Sequence, residues 1–426
     1  MCNSGRITLF GLAVLLIGMA SCSKNVYDEG KYQQIIRYLS PVDSVDQRHT
    51  WSLTDVHTYR FTADAGSNIQ SVCVFTENPL TSRNAELMNQ VPLSSGNEVI
   101  LSVSVPSIVN TLYAALVDKS GNFYVTSFST SARDISFEDA TAGMPVGSIT
   151  PQTYTYVFEE DFPQPGDYDY NDLVLRISQQ RTGTRQLTIN VTIAAIGASY
   201  HLAGGIRLVG YRFQDIDSVK TVSGESFNDG VPQASLYMFD KTDLLVEGRN
   251  KEAVINLFCD AHWAMAFNIS AEYGLFQRKK YNVSTSTGDN YQLRSTRTLS
   301  YVVYLSPSRG ETELNNFTLE SLDPFIITEY NGGTWETHLD TYRDAQVLFE
   351  YPSPTIKDLP WALKVPMRDF AYPLEGNEIG FKKKTQEGTT ALFGAYMTSG
   401  HSFGEWAEDY TKCLDWYLYP VSSYVW

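Results

Sequence analysis

The sequence predicts an all-β protein: an N-terminal immunoglobulin-like sandwich, then a larger β-sandwich or jelly-roll-like domain with a short C-terminal helix. The first observation is alternation, because every second residue from Val99 to Val105 is apolar and falls on one strand face. The second is that turn-forming clusters of Gly, Ser, Asn and Asp separate strand-like runs at regular spacing. The third is an aromatic content of 13%, since aromatic side chains are enriched in strands.

The first domain is predicted to span residues 45–140. Short alternating runs between regular turns are typical of a small antiparallel sandwich of the immunoglobulin type. The strand candidates are Tyr59–Ala63, Ser71–Thr76, Glu98–Val105, Thr111–Asp118 and Phe123–Phe128. Asp118–Asn122 has the composition of a hairpin turn. The segment Thr141–Gln152, rich in Gly, Pro, Ser and Thr, is predicted to be the boundary to the next domain.

The second domain is predicted to span residues 150–426 and to consist mainly of strands. Leu187–Ile193 alternates apolar and polar side chains, which predicts a half-buried strand. Further strand candidates are Ala253–Phe258, Leu299–Leu305, Phe325–Tyr330 and Leu359–Val365, the last confined to an edge or entry position by Pro360. One helix is predicted over Gly400–Trp416. Its apolar stripe is assigned to core packing and comprises Phe403, Trp406, Ala407 and Tyr410.

The segment Phe158–Ile177 concentrates acidic side chains beside a short apolar strand, Leu173–Ile177. Crowded carboxylates repel one another unless a cation lies among them, and calcium takes six to eight oxygen ligands. Residues 167–171 have the D-x-D-x-N spacing that opens a calcium loop. We therefore predict a calcium site whose ligands are Glu160, Asp161, Asp167, Asp169, Asn171 and Asp172.

This segment departs from the helix-loop-helix calcium motif. That motif has Gly at its sixth position and Glu at its twelfth, where this chain has Asp172 and Ser178. The missing bidentate carboxylate is expected from one of residues 159–161, all acidic, returned by the turn at residues 163–166. A solvated acidic turn without an ion is the alternative interpretation.

The acidic segment also carries a family resemblance. G-D-Y-D-Y-N-D-L-V-L (Gly166–Leu175) resembles the hallmark of the LruC-domain family of secreted and lipid-anchored bacterial proteins. Further ordered similarities are A-I-G-A-S-Y-H (Ala195–His201), L-D-P-F-I-I (Leu322–Ile327), L-P-W-A-L-K-V-P (Leu359–Pro366), Y-P-L-E (Tyr372–Glu375), F-G-E-W-A (Phe403–Ala407) and D-W-Y (Asp415–Tyr417). The resemblance implies an extracellular, metal-stabilised β domain and implies no particular reaction.

Residues 1–21 are predicted to be a lipoprotein signal peptide. Arg6 precedes an apolar run, Leu9–Met19, which is too short to span a bilayer. The run ends in M-A-S-C, so Cys22 is predicted to become the first mature residue and to carry acyl chains. Residues 22–44 are predicted to be a tether. The expected location is the outer membrane, facing the cell surface or the periplasm.

The composition limits the partners. A net charge of -16 and a pI of about 4.8 disfavour nucleic acid and anionic lipid surfaces. The predicted partners are the membrane, through the lipid anchor, and a glycan or a surface protein, because 27 Tyr suit contact surfaces. Cys73 and Cys259 lie in apolar runs and are expected to be buried thiols. The sequence does not decide between this state and a disulfide that joins Cys259 to Cys413.

The sequence does not predict an enzyme. It contains no H-E-x-x-H, G-x-S-x-G or P-loop motif, and closely spaced carboxylates suit chelation better than two opposed catalytic groups. The predicted role is a structural or ligand-binding module with an adhesion-like function. Two alternatives are kept: a carbohydrate-active enzyme that uses the acidic cluster, and a fimbria-associated subunit, which requires a donor strand or an unpaired sheet edge.

Overall fold

The fold is taken from a computed structural model of the chain. It describes residues 45–63, 68–93, 98–231, 242–266, 279–288, 290–330, 333–349, 359–384 and 387–426. These residues form many strands in several sheets, with two short α-helices. The predicted all-β class and short C-terminal helix are therefore confirmed. The predicted signal peptide, Cys22 and the tether lie outside the described residues.

The N-terminal part consists of a three-stranded and a six-stranded sheet. Its strands are β1 (Thr54–Thr62), β2 (Ile69–Phe75), β3 (Glu86–Pro92), β4 (Glu98–Pro106), β5 (Thr111–Asp118), β6 (Phe123–Ser129), β7 (Asp134–Ser136), β8 (Thr141–Gly143) and β9 (Thr150–Pro151). The sheet orders are β4-β1-β7 and β8-β6-β5-β2-β3-β9. Alternate residues of β1, β4 and β5 share one core, which includes Phe61, Leu101 and Leu112.

The remaining strands form two larger sheets and two small ones. They are β10 (Thr153–Phe158), β11 (Leu173–Gly183), β12 (Gln186–Ala195), β13 (Ala203–Arg212), β14 (Ile216–Thr221), β15 (Leu245–Glu247), β16 (Glu252–Phe258), β17 (Lys280–Tyr281), β18 (Tyr291–Gln292), β19 (Arg297–Leu305), β20 (Leu322–Tyr330), β21 (Gly333–Thr337), β22 (Ala362–Val365), β23 (Phe381–Lys384) and β24 (Thr390–Phe393). The larger sheets have the orders β14-β19-β12-β11-β10-β22 and β15-β16-β13-β20-β21. The helices are α1 (Ala261–Ala266) and α2 (Phe403–Glu408).

The central six-stranded sheet is buried on both faces near the start of β11. Leu173, Leu175 and Ile177 point into the core shared with the five-stranded sheet. Val174, on the opposite face, packs into a second cluster that contains Trp406 and Trp416. Burial on both faces explains why this stretch is a continuous apolar run rather than an alternating one.

The predicted C-terminal helix is shorter than expected. The structure has α2 over Phe403–Glu408, whereas the sequence predicted Gly400–Trp416. Asp409 ends the helix because its side chain accepts hydrogen bonds from the backbone N–H and the hydroxyl of Thr411, at 3.1 and 2.6 Å. Such local bonds compete with helix continuation.

Polar side chains join the N-terminal strands to the later ones within one compact unit, residues 41–426. Thr54 and Ser104 donate hydroxyl hydrogen bonds to Glu320 Oε1, at 2.7 and 2.8 Å, and Lys364 forms an ion pair with the same carboxylate. Burial alone would raise the pKa of Glu320, but Lys364 and the hydrogen bonds from Thr54 and Ser104 together outweigh it, so the pKa is lowered. The boundary between two domains near residues 140–150 stays a prediction.

The described cysteines are thiols, and no disulfide joins Cys259 to Cys413 in this part of the chain. Cys73 and Cys259 are buried, as the sequence predicted. The described residues also contain no helix of the length and apolar character needed to span a bilayer.

The five-stranded sheet contains a buried histidine between two carboxylates. His338 Nδ1 lies 2.9 Å from Asp323 Oδ2, and its Nε2 lies 2.9 Å from Glu336 Oε2. Arg207 also donates to Asp323 Oδ2, at 2.9 Å. Since both ring nitrogens face carboxylate oxygens, the arrangement requires the doubly protonated imidazolium. Burial alone would lower the pKa of His338, but Asp323 and Glu336 outweigh it and raise the pKa to about 9.

This geometry predicts a pH-dependent contribution to stability. His338 is protonated in both states below its ordinary pKa of 6.5, and its stabilisation is lost as the pH rises through about 9. The difference in unfolding free energy between the parent and His338→Gln should therefore shrink by a few kcal/mol from pH 6 to pH 9.5, since each pKa unit corresponds to about 1.4 kcal/mol. Chemical denaturation at both pH values measures this difference.

The control is His57→Gln, which removes a histidine in β1, away from this network. The interpretation fails if the two variants show the same dependence on pH.

Candidate metal centre

The acidic segment is the loop that closes the β10–β11 hairpin. Phe158 pairs with Leu173, so residues 159–172 form the connection. The neck of the loop is closed by the backbone N–H of Glu160, which donates to Asp172 Oδ2 at 2.7 Å. The hairpin therefore gathers the acidic side chains at one end of the central sheet.

Glu159 is the carboxylate at the centre of the loop. It is fully buried, and the backbone N–H groups of Tyr168 and Tyr170 donate to its two oxygens, at 3.2 and 2.6 Å. Both tyrosines have positive φ angles, 58° and 50°, which is uncommon for residues other than glycine. The backbone thus curls around Glu159, and Tyr170 is fixed by a hydroxyl hydrogen bond of 2.5 Å to the Pro360 carbonyl.

Asp169 lies beside Glu159 and is 1% exposed. Its Oδ1 accepts the N–H of Asn171 at 3.2 Å, and its Oδ2 accepts the N–H of Gly376 at 3.0 Å. Glu159, Asp167 and Asp169 each offer one oxygen, and these oxygens lie within 4.8 Å of one another. We call these three residues the carboxylate triad. Two members are buried and Asp167 is exposed, which leaves a path from solvent.

The other predicted ligands lie around the triad. Glu160 Oε1 and Oε2 accept the backbone N–H groups of Ser199 and Tyr200, each at 2.7 Å. Asp172 holds the neck of the loop, and Asp161 is half-buried. Thus Glu160 accepts hydrogen bonds from two backbone N–H groups, and Asp172 accepts one.

Asn171 differs from its acidic neighbours. Its Nδ2 donates to the Pro373 carbonyl at 3.2 Å, while its Oδ1 is buried and has no hydrogen-bond partner among the described residues. An unsatisfied buried oxygen costs about 1–3 kcal/mol. It is the kind of atom that a metal ion satisfies.

Glu159 was absent from the six predicted ligands, although it was among the candidates for the missing bidentate carboxylate. A signal for it exists in the sequence. Strand periodicity places Glu159 on the same face as Val157, and Val157 packs in the cluster that contains Tyr168 and Tyr170.

The triad carries strongly unfavourable electrostatics. Burial, then Asp169 and Asp167, raise the pKa of Glu159 well above its ordinary value. Burial, then Asp167, raise the pKa of Asp169 to about 8. Among the described residues, no Lys, Arg or His forms a salt bridge with the triad, and the neighbouring Lys280 is paired with Glu375. The loop therefore buries more negative charge than its own side chains balance.

Two glycines allow the close packing of this loop. A Cβ on Gly166 would lie 2.0 Å from Glu159 Oε2, and a Cβ on Gly197 would lie 1.8 Å from Asn171 Oδ1. Neither position tolerates a side chain without displacing a candidate ligand.

Part of the chain matches a known protein family. Residues 184–383 match a family described as a domain of unknown function, DUF4842. The match covers less than half of the chain and begins after β11, so the acidic loop precedes it. No curated protein matches the chain. The resemblance of the acidic segment to LruC-domain proteins stays a prediction.

Among solved structures, that of a bacterial protein is similar to most of the chain. It is the crystal structure of a "putative lipoprotein from Bacteroides ovatus", with 15% sequence identity and a TM-score of 0.47. The similarity covers 85% of this chain and 99% of that chain. At this TM-score the similarity carries no argument about function.

The close approach at Gly166 yields a stability prediction. Gly166→Ala should lower the unfolding free energy by about 1–3 kcal/mol, the usual cost of overpacking, because the new methyl displaces the buried Glu159 carboxylate. Thermal unfolding measures the change. Gly310→Ala is the matched control, since a Cβ there meets nothing within 4 Å. Equal melting temperatures for the two variants would show that Glu159 does not fill the space beside Gly166.

Proposed function

We propose that this protein is a lipid-anchored cell-envelope protein whose β domain is stabilised by a calcium ion held at the carboxylate triad. The domain serves as a structural or ligand-binding module with an adhesion-like role, and its partner is a glycan or a surface protein. The observation that carries the proposal is the triad itself, with oxygens within 4.8 Å of one another and no salt bridge to a basic side chain among the described residues.

The chemistry of the donor set favours calcium. All candidate ligand atoms are oxygens, which suits a hard cation rather than a metal that prefers nitrogen or sulfur. The triad supplies three carboxylates, and the unpartnered Asn171 Oδ1 is a further neutral oxygen in the same loop. Calcium accepts irregular geometry and solvent ligands, so a loop with one exposed member suits it better than magnesium, which demands a near-ideal octahedron.

The same residues connect the ion to the rest of the domain. Asp169 accepts a hydrogen bond from the N–H of Gly376, and Asn171 Nδ2 donates one to the carbonyl of Pro373. The C-terminal end packs on this segment, since the N–H of Trp426 donates to the Tyr372 carbonyl at 2.9 Å. An ion that fixes the triad therefore stabilises a contact between the central hairpin and the C-terminus, and its binding energy adds to folding energy.

The lipid anchor is supported by the sequence alone. A charged start, a short apolar run and M-A-S-C before residue 23 are features of a lipoprotein leader. Two or more acyl chains on Cys22 would anchor the protein stably, since each buried methylene contributes about 0.8 kcal/mol.

A hydrolytic role for the acidic cluster receives less support. Glu160 is the candidate acid: burial raises its pKa to about 7, despite hydrogen bonds from Ser199 and Tyr200. Both of its oxygens are nevertheless occupied by those backbone N–H groups, and the residue is buried. A catalytic acid must reach its substrate within hydrogen-bond distance, so the geometry favours a structural task for Glu160.

Calcium should raise the melting temperature of the protein lacking residues 1–22, which retains the whole compact unit 41–426. At a calcium concentration of 100 times Kd the expected gain is about 2.7 kcal/mol. Asp169→Ala should abolish most of this gain. Asp167→Asn should abolish it without lowering the metal-free melting temperature, because Asp167 is exposed and its charge repels Glu159 and Asp169. Differential scanning calorimetry with calcium and with EDTA measures both effects.

The matched control is Asp139→Asn, which removes an exposed carboxylate outside the loop and should keep the full calcium gain. An equal response of the parent and both triad variants would mean that the ligands are wrongly assigned. No response of the parent to calcium would reject the metal site itself.

Cys22→Ala should leave the protein unacylated and in the soluble fraction of the producing bacterium. Metabolic labelling with palmitate, followed by membrane fractionation, measures both properties. Cys2→Ala is a control within the same leader and should leave labelling unchanged. Continued labelling of Cys22→Ala would place the anchor at another residue.

A further inference from the structure

The outer face of the central sheet changes from apolar to polar at Arg176, two residues after Val174. Beyond the aromatic cluster, the outward positions of four adjacent strands are polar, and the register aligns them in two rows. The first row is Thr155, Arg176, Thr192 and Thr298, and the second is Thr153, Ser178, Asn190 and Ser300. Polar residues aligned across four strands form a continuous hydrogen-bonding surface.

Six of these eight residues line a groove of about 310 Å³, whereas Thr155, which is buried, and Ser300 do not. The turn that carries Arg368 and Asp369 and the short strand β9 also line the groove. The volume lies at the lower end of the range for small-molecule sites.

Arg176 is the basic residue of the groove floor. Its side chain is 27% exposed, and its nearest acidic partner, Asp369 Oδ1, lies 3.7 Å away and belongs to a side chain that is 74% exposed. The Arg176 side chain makes no hydrogen bond among the described residues, and its Nε is buried without a partner. Arg368, in contrast, is engaged with Glu86 at 2.6 Å. Since Nε is buried, the two Nη groups are the donors that Arg176 retains for a ligand.

The polar floor is ordered by its own hydrogen bonds. Asn190 donates to Ser178 Oγ at 3.0 Å and accepts from the Ser300 hydroxyl at 2.7 Å. The hydroxyls of Thr192 and Thr298 lie 2.7 Å apart. Side chains held in this way lose little entropy when a ligand binds.

We propose that this groove binds an acidic saccharide, a sugar ring that bears a carboxylate. The guanidinium of Arg176 would pair with the carboxylate, for which its planar fork of donors is suited. The hydroxyl and amide rows both donate and accept, as sugar hydroxyls do. In a chain of net charge -16, long-range attraction of an anion is absent, so recognition depends on this local pair.

This inference deepens the ligand-binding role proposed above and rests on it, whereas the calcium site and the lipid anchor are independent of it. The triad lies at the loop end of the β10–β11 hairpin, while the groove lies along its strands. Binding at the groove and stabilisation by calcium can therefore be measured separately on the same protein.

The test is titration calorimetry on the protein lacking residues 1–22, with D-glucuronate, D-galacturonate and N-acetylneuraminate as probes. Glucose, methyl glucuronate and acetate are the comparison ligands. At least one acidic sugar should bind at least tenfold more tightly than every comparison ligand. Arg176→Gln should weaken its binding at least tenfold. Thr192→Val, which removes one floor hydroxyl without changing shape, should weaken it severalfold.

Arg133→Gln is the matched control, since it removes the same charge from an exposed position in the N-terminal part, and it should bind as the parent does. The inference is overturned if acetate binds as well as the sugars, if Arg176→Gln binds unchanged, or if no acidic sugar binds below about 10 mM, a free energy near -3 kcal/mol. Neutral glycans that bind independently of Arg176 would also overturn it, while leaving the broader binding role intact. The melting temperature, recorded on each variant without calcium, verifies folding.

Discussion

The structure depends on how the β10–β11 loop tolerates buried negative charge. Glu159 and Asp169 lie in the interior with Asp167 beside them, and backbone N–H groups are their partners among the described residues. Hydrogen bonds from amides spread charge but do not cancel it, so burial, and then mutual repulsion, raise the pKa values of Glu159 and Asp169. Either protonation of these carboxylates or a bound cation must relieve the repulsion. The two options differ in energy, because a divalent ion also attracts every oxygen at once.

The consequence of this constraint extends well beyond the loop. Tyr168 accepts the N–H of Ile379 through its carbonyl, at 2.7 Å, and Tyr170 reaches Pro360. The Glu160 carboxylate accepts hydrogen bonds from the N–H groups of Ser199 and Tyr200. One connection thus orders three segments that are distant in sequence. Because the loop contacts these three segments directly, an ion that stabilises the loop would also stabilise them.

Much of the fold could be predicted from local patterns, and the site only in part. The strand Thr111–Asp118 has the bounds expected from its composition, and Leu173–Ile177 is buried as its apolar run predicted. Strand β3 was missed because E-L-M-N-Q-V-P does not alternate. The role of Glu159 depends on left-handed backbone at Tyr168 and Tyr170, which spacing does not encode.

The loop also fixes the register that separates the core from the groove. Residues alternate along β11, so Val174 and Arg176 face outward while Leu175 and Ile177 face the core. A slip of one residue would turn Arg176 into that core and Leu175 toward solvent. The bond from the Glu160 N–H to Asp172 closes the hairpin at one register. The hydrogen bond that closes the acidic loop thus helps to fix both the apolar core and the Arg176 guanidinium that lines the groove.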